Sequence, residues 1–271
     1  MTDIKLIAID IDGTLVNSKS ELTPETIAAI KEAKSRGIKV VLCTGRPLSG
    51  AEALLEQLGL DHAADQYLVC FGGAVVQTTA GQVIYERGIS YEDFVDLEGI
   101  ARKLNIHFQA ISSDRIYTCN KDIGKYTLYE ANLVNLGISY RTPEEMRGIE
   151  LIKAMYIEDA EILDPAIAHR ELFEKIGNRL DLMKTAPFYY EAYAKGVNKG
   201  AALDKLCGIL KISSDQVLAL GDEENDLSMI KFAKLGVAMG NATAQVKAAA
   251  EEITADNDHD GVALAIRKFA L

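Results

Sequence analysis

Two aspartates one residue apart, Asp10 and Asp12, stand at the end of an apolar run and lead into Gly13-Thr14. An Asp-Gly pair alone is an ordinary turn. Carboxylates beside a buried strand are costly unless something neutralises them. Three further polar segments carry groups that could do so. Thr44-Gly45-Arg46 follows a second apolar run, Asn198-Lys199-Gly200 opens a helical segment, and Gly221-Asp222-Glu223-Glu224-Asn225-Asp226 follows a later apolar run. On one edge of a parallel sheet, Asp10, Asp12, Asp222 and Asp226 would crowd around one lysine and one threonine. Like charges that close repel unless a cation sits among them, and an all-oxygen set with few protein ligands suits Mg²⁺. The chemistry that needs this set is phosphoryl transfer. One carboxylate attacks phosphorus, a lysine and a cation offset the charge, and a second carboxyl group moves the proton. A hydroxyl and the N–H groups at a helix start can hold the phosphoryl oxygens.

The elements around these residues must put them on one edge. Leu6-Ile7-Ala8-Ile9 is a continuous apolar run, as expected of a strand buried on both faces. Thr23-Pro24-Glu25 has the residues of a helix start, and the stripe Ile27, Ile30, Ala33 stops at Gly37. Strands are expected at 38–43 and 67–71, with a helix carrying Ala51, Leu54, Leu55 and Leu58 between them. This β-α-β-α-β order implies a parallel sheet with right-handed crossovers. A hairpin follows at 74–86. From about Tyr91 to Ala186 the pattern changes to alternating strands at 106–111, 115–118, 151–157 and 180–184, with helices at 91–104, 122–135 and 160–176. The parallel pattern resumes near Asn198, with a helix at 199–210, a strand at 217–220, a helix at 225–232, a short strand at 236–239 and a last helix at 263–269. The expected fold is α/β, a Rossmann-like parallel-sheet core made of residues 1–86 and 190–271. An α+β cap domain, residues 87–189, is inserted into it.

Composition narrows the partners. The chain has 271 residues and a formal net charge of −11, which argues against a general affinity for nucleic acid or an anionic membrane. No run approaches the roughly twenty apolar residues of a membrane span. Met1-Thr2-Asp3 lacks the basic region of a secretory leader, so a cytoplasmic location is expected. Cys43, Cys70, Cys119 and Cys207 form no C-x-x-C pair and read as free thiols in a reducing compartment. His62, His107, His169 and His259 show no metal spacing.

In this order, D-I-D-G-T, V-L-C-T-G-R, V-N-K-G and G-D-E-E-N-D resemble the four motifs of the haloacid dehalogenase-like phosphatases. The long insert resembles the cap of the Cof-type branch, close to the YidA-like sugar phosphatases, and the resemblance covers the whole chain. It implies Asp10 as nucleophile and metal ligand, and Asp12 as general acid/base with its carbonyl on the metal. It implies phosphate contacts from the N–H groups of Ile11 and Gly45, from Thr44, Lys199 and Asn225. Asp222 would complete the metal ligands, and Asp226 would orient metal-bound water and Lys199. Gly72-Gly73-Ala74 departs from the Asn-Gly-Ala usual in such relatives, so an amide is absent there.

The plainer readings stand beside these. Arg46 suits a structural bond to a strand-end carbonyl or a core carboxylate. Asn241 and Asp260 suit turns, and Phe188, Tyr189, Tyr190 and Tyr193 suit domain packing. Discrimination of the leaving group falls to the insert, which is expected to close over the site from hinges near 86–90 and 185–191. Lys121-Asp122, Lys125-Tyr126, Arg115, Lys153 and Lys184 are its candidate contacts, with surface solvation as the plainer reading of each. The expected substrate is a small phosphorylated metabolite, the expected state a monomer or weak homodimer. A sugar phosphomutase using the same aspartate and a non-catalytic phospho-ligand sensor are the alternatives.

Overall fold

The structure, a computed structural model, describes residues 3–271. Met1 and Thr2, part of the stretch on which the expectation about a leader rests, lie outside the described residues. In chain order the first segment contains β1 (Leu6–Ile9), α1 (Pro24–Ser35), β2 (Lys39–Cys43), α2 (Glu52–Leu58), β3 (Tyr67–Cys70), β4 (Val75–Thr78) and β5 (Val83–Glu86). The middle segment contains α3 (Tyr91–Leu104), β6 (His107–Ile111), β7 (Arg115–Thr118), α4 (Lys125–Val134), β8 (Gly137–Tyr140), β9 (Lys153–Ile157), α5 (Ala160–Ile167), β10 (Leu180–Ala186) and β11 (Tyr189–Ala194). The last contains α6 (Lys199–Leu210), β12 (Val217–Gly221), α7 (Leu227–Phe232), β13 (Leu235–Ala238), α8 (Ala244–Ala249), β14 (Glu252–Ile253) and α9 (Gly261–Phe269).

The chain divides into two compact units, one running to Tyr85 and resuming at Asn198–Leu271, the other spanning Glu86–Val197. The first unit is built on a sheet of order β14-β13-β12-β1-β2-β3-β4-β5. Its strands from β14 to β3 run parallel, and β4 turns back antiparallel to β3. β1 lies between β12 and β2, with Ile9 level with Leu220 on one side and Leu42 on the other. All four residues of β1 are buried, as a strand covered on both faces requires. α1 packs on α9, and α6 on α7. Thr23 caps α1 by accepting the N–H of Thr26 at 3.2 Å, and Pro24 begins the helix.

The second unit holds a six-stranded sheet of order β10-β11-β9-β6-β7-β8, antiparallel except for β7 with β8. The period-two alternation of strands divides β9 between two faces. Ala154 and Tyr156 join the apolar core with Phe94, Phe108 and Phe173. The Tyr156 ring lies 5.3 Å from that of Phe108, and its hydroxyl donates to the Leu97 carbonyl at 3.0 Å. On the other face, Lys153 is buried and donates to Glu191 at 2.9 Å, while the Tyr193 hydroxyl donates to the other Glu191 oxygen.

Several expectations are corrected. Residues 190–197 belong with the inserted unit, because β11 pairs with both β9 and β10 and places Tyr190 opposite Tyr156. The aromatic cluster at 188–193 is therefore largely a strand of the insert's own sheet. The helix expected over 160–176 stops at Ile167, two residues past Pro165, which cannot donate to the helix ladder. The helix expected from 225 begins instead as a tight turn, Glu224–Asp226. Lys153 is not a surface residue, and three of the other cations named in the insert have partners. Arg115 donates to Ser139, Lys125 to Asp159, and Lys184 to Asp164. β8, α8 and β14 were not anticipated; each is short, and β14 has two residues. Among the described residues no helix is long and apolar enough to cross a membrane.

Candidate active site

The parallel register brings three strand ends together. Asp10 follows β1, Thr44 follows β2 and Asp222 follows β12, and the Asp10 N–H donates to the Leu220 carbonyl at 3.1 Å. Lys199 is the first residue of α6, whose preceding residue Asn198 caps the helix by accepting the Ala201 N–H at 2.8 Å. That cap fixes where the helix starts and so where Lys199 points. Its ammonium, fully buried, donates to Asp10 Oδ1 and Asp226 Oδ1, each at 2.6 Å.

Asp226 is fully occupied. Its second oxygen accepts the N–H groups of Asp222 at 2.9 Å and Glu223 at 3.1 Å. This return contact makes the turn after β12, and Gly221 leaves room for it, since a Cβ there would stand 2.5 Å from that of Asp226. Asp222 Oδ1 accepts from Thr14 Oγ1 at 2.7 Å. Gly13, at φ +79°, has no Cβ to collide with the Asp222 carboxylate. Asn241 Nδ2 donates to the Gly13 carbonyl at 2.8 Å and lies 3.4 Å from Asp222 Oδ2.

Charge dominates this site. Asp10, Asp222 and Asp226 are buried and each offers an oxygen within 4.8 Å of the others. Burial, and then the neighbouring Asp226, hold the Asp10 carboxyl well above its ordinary value, against the pull of Lys199. Burial also pushes Asp222 up to about 6, opposed by the Thr14 hydrogen bond and assisted by Asp226. Burial alone would lower Lys199; Asp10 and Asp226 outweigh it and hold the ammonium above its usual range. Three carboxylates against one ammonium leave negative charge without a partner, and every donor in the set is an oxygen. This fits a hard divalent cation such as Mg²⁺. Asp10 and Asp222 each have an oxygen not engaged by Lys199 or Thr14, whereas Asp226 has both oxygens engaged.

The loop after β2 has its own order. Thr44 Oγ1 is buried and accepts the Arg46 N–H at 3.0 Å, so its proton is directed elsewhere. Gly45 is exposed at the same turn. Arg46 binds both oxygens of Asp12, Nε to Oδ2 at 3.0 Å and Nη2 to Oδ1, and its Nη1 donates to the Gly50 carbonyl at 3.1 Å. Asp12 is exposed, Ile11 is buried beside Asp10, and Asn225 is exposed in the turn before Asp226. Asp10, Lys199, Asp222 and Asp226 thus form one bonded set, and Asp12 meets the Thr44 loop through Arg46.

Sequence reasoning missed Thr14 and Asn241 as parts of this set. Thr14 has no site role assigned to it in the sequence reading, although its hydroxyl lies four residues from Asp10 in the same loop. Asn241 was read as a turn residue. The signal that marks it is position, just beyond the carboxyl end of β13, the neighbour of β12. Arg46 does bond a carbonyl and a carboxylate, but not those the plainer reading named: the carbonyl is that of Gly50, in the turn before α2, and the carboxylate is the exposed Asp12 rather than one in the core.

Residues 7–266 match the family of haloacid dehalogenase-like hydrolases. A protein of Streptococcus pyogenes serotype M6, provisionally named a phosphatase, is 41% identical over 268 residues, 99% of each chain. The Bacillus subtilis 5-amino-6-(5-phospho-D-ribitylamino)uracil phosphatase YcsE is 34% identical over 273 residues, covering 99% of this chain and 97% of its own. The crystal structure of a haloacid dehalogenase-like hydrolase from Bacteroides thetaiotaomicron superimposes with a TM-score of 0.86 at 32% identity, covering 98% of this chain and 99% of the other.

Proposed function

This chain belongs to the haloacid dehalogenase-like hydrolases, and from that premise we propose that it is a Mg²⁺-dependent phosphatase of small phosphate monoesters, sugar phosphates among them, working through a phospho-aspartate at Asp10. The observation that carries the reading is the buried Asp10–Lys199–Asp226 set, with Asp222 beside it. The ribityl phosphate in the name of the Bacillus subtilis relative supports a phosphorylated sugar or sugar alcohol as substrate class.

In the first step an oxygen of Asp10 forms a bond to phosphorus while the ester P–O bond breaks, and the departing oxygen takes a proton from Asp12. In the second, water attacks the phosphorus and gives a proton to Asp12, and the bond to Asp10 breaks to release inorganic phosphate. Lys199 uses two of its three N–H donors on Asp10 and Asp226, which leaves one for a phosphoryl oxygen. The Thr44 hydroxyl and the N–H groups of Ile11 and Gly45 hold further oxygens, with Asn225 at the rim. Asp10, Asp222 and the Asp12 carbonyl would hold Mg²⁺, which when bound would supply positive charge to keep Asp10 ionised and to offset charge on the transferring group. Asp226 keeps Lys199 and the 221–223 turn in place.

Asp10→Asn tests the reading. We expect loss of phosphate release from p-nitrophenyl phosphate and a panel of sugar phosphates, with unchanged circular dichroism. The wild type should lose activity in EDTA and regain it with Mg²⁺. Turnover by Asp10→Asn at the wild-type rate would overturn the mechanism.

A further inference from the structure

We propose that Arg46 is a positioning residue for Asp12, fixing the direction of the carboxyl group that moves the proton; the proposal rests on the phospho-aspartate reading above. Asp12 is 60% exposed at its side chain, and a lone aspartate so exposed samples several rotamers. Here both of its oxygens are taken by one guanidinium, Nε at 3.0 Å and Nη2 on the other oxygen. An exposed ion pair ordinarily contributes little. This one differs because the planar fork sets direction as well as distance, and because the arginine is fastened along its length. Its N–H is held by Thr44 Oγ1 at 3.0 Å and its carbonyl accepts from the Phe71 N–H at 3.2 Å. Its Nη1 reaches the Gly50 carbonyl at 3.1 Å. Its stem lies against Gly50, where a Cβ would stand 3.2 Å from that of Arg46.

The loop after β2 therefore dictates where Asp12 points, and the same loop carries the Thr44 hydroxyl. Phosphate-holding and proton-moving groups are tied through three residues of chain rather than left to independent rotamers. A carboxylate held on both prongs is acceptor-only, so Asp12 gives up one prong when it carries the proton to the departing oxygen, while the other keeps its aim. Atoms balance as in the mechanism above: Arg46 keeps all its protons and touches neither phosphorus nor the leaving group.

The test uses the full chain with Mg²⁺ and a series of aryl phosphates from p-nitrophenyl to phenyl, whose leaving oxygens need progressively more help from a proton. Arg46→Met should lower kcat/KM for phenyl phosphate by roughly ten- to a hundredfold, part of the 10²–10⁴ that general acid–base catalysis supplies, and for p-nitrophenyl phosphate by about threefold or less. Arg46→Lys, which keeps charge and stem but not the fork, should fall between, and it carries the test if the methionine variant does not fold. In an Asp12→Asn background the Arg46 substitution should add less than about twofold, since residues acting as a unit are non-additive. The same loss with and without Asp12, or a uniform rise in KM with no dependence on the leaving group, would overturn the proposal. An Asp12→Asn variant as fast as wild type on phenyl phosphate would instead sink the acid/base reading itself.

Discussion

Replacing Lys199 by methionine removes the cation buried among Asp10, Asp222 and Asp226 and leaves the stem. Asp10 and Asp226 then face each other with oxygens no more than 4.8 Å apart. At an effective dielectric constant of 20, two unit charges at that distance repel by about 3.5 kcal/mol. Deleting one partner of a buried pair costs about 3–5 kcal/mol in measured cases, which brackets this figure. For a unit of this size that corresponds to a fall in Tm of roughly 6–20 °C. Lys199 is held above its ordinary value, so its ammonium stays charged from pH 5 to 8 and does not itself titrate there. The variant's penalty should depend on pH. Asp10 already sits above the usual carboxylate range, so the folded state takes up its proton before the unfolded chain does. The penalty is largest above the folded value, shrinks as pH falls through it, and is relieved near the ordinary value of about 3.9. Urea unfolding of wild type and variant in EDTA, at pH 7.5 and pH 5, measures both quantities, and Mg²⁺ should narrow the gap at pH 7.5. A difference under about 1 kcal/mol at pH 7.5, or a loss that does not change with pH, would refute the electrostatic account of the site.

Two further outcomes follow from the same geometry. Asp222, pushed up to about 6, must be ionised to hold a cation, so Mg²⁺ affinity measured by calorimetry should fall by about tenfold per pH unit below that value. In EDTA this group makes the folded state more stable as pH drops from about 6 toward 4, whereas in saturating Mg²⁺ the slope reverses; Asp222→Asn should abolish the difference between the two slopes. Gly13→Ala places a Cβ against the Asp222 carboxylate at φ +79°, a backbone cost of about 1–2 kcal/mol. We expect it to weaken Mg²⁺ binding by about tenfold or more, and unchanged affinity by calorimetry would show that Asp222 is not held by this approach.

Much of the core was legible because its signals are local. Four apolar residues at 6–9 ending in Asp10 and Asp12 define a buried strand with an acidic end, and the Thr23-Pro24 start and Gly37 stop of α1 are written in residue type. Parallel topology then follows from the β-α-β order, and with it the meeting of Asp10, Thr44 and Asp222 on one edge. The limits of the insert were not legible. Tyr189–Ala194 reads as an aromatic cluster until β9 and β10 are present on either side of it, because strand pairing is a property of two segments and each carries half of the signal. Lys153 looks like a surface lysine for the same reason, since its partner Glu191 lies 38 residues away. The finer arrangement of the site is also tertiary. Residue types named Asp10 and Asp12 as a pair, but only the folded chain gives them different surroundings. Asp10 is buried against Lys199 and two other carboxylates, while Asp12 is exposed in the fork of Arg46. Only the fold decides those surroundings, because desolvation and neighbouring charge act through space between residues far apart in the chain, as Thr14 and Asp222, bonded across 208 positions, are.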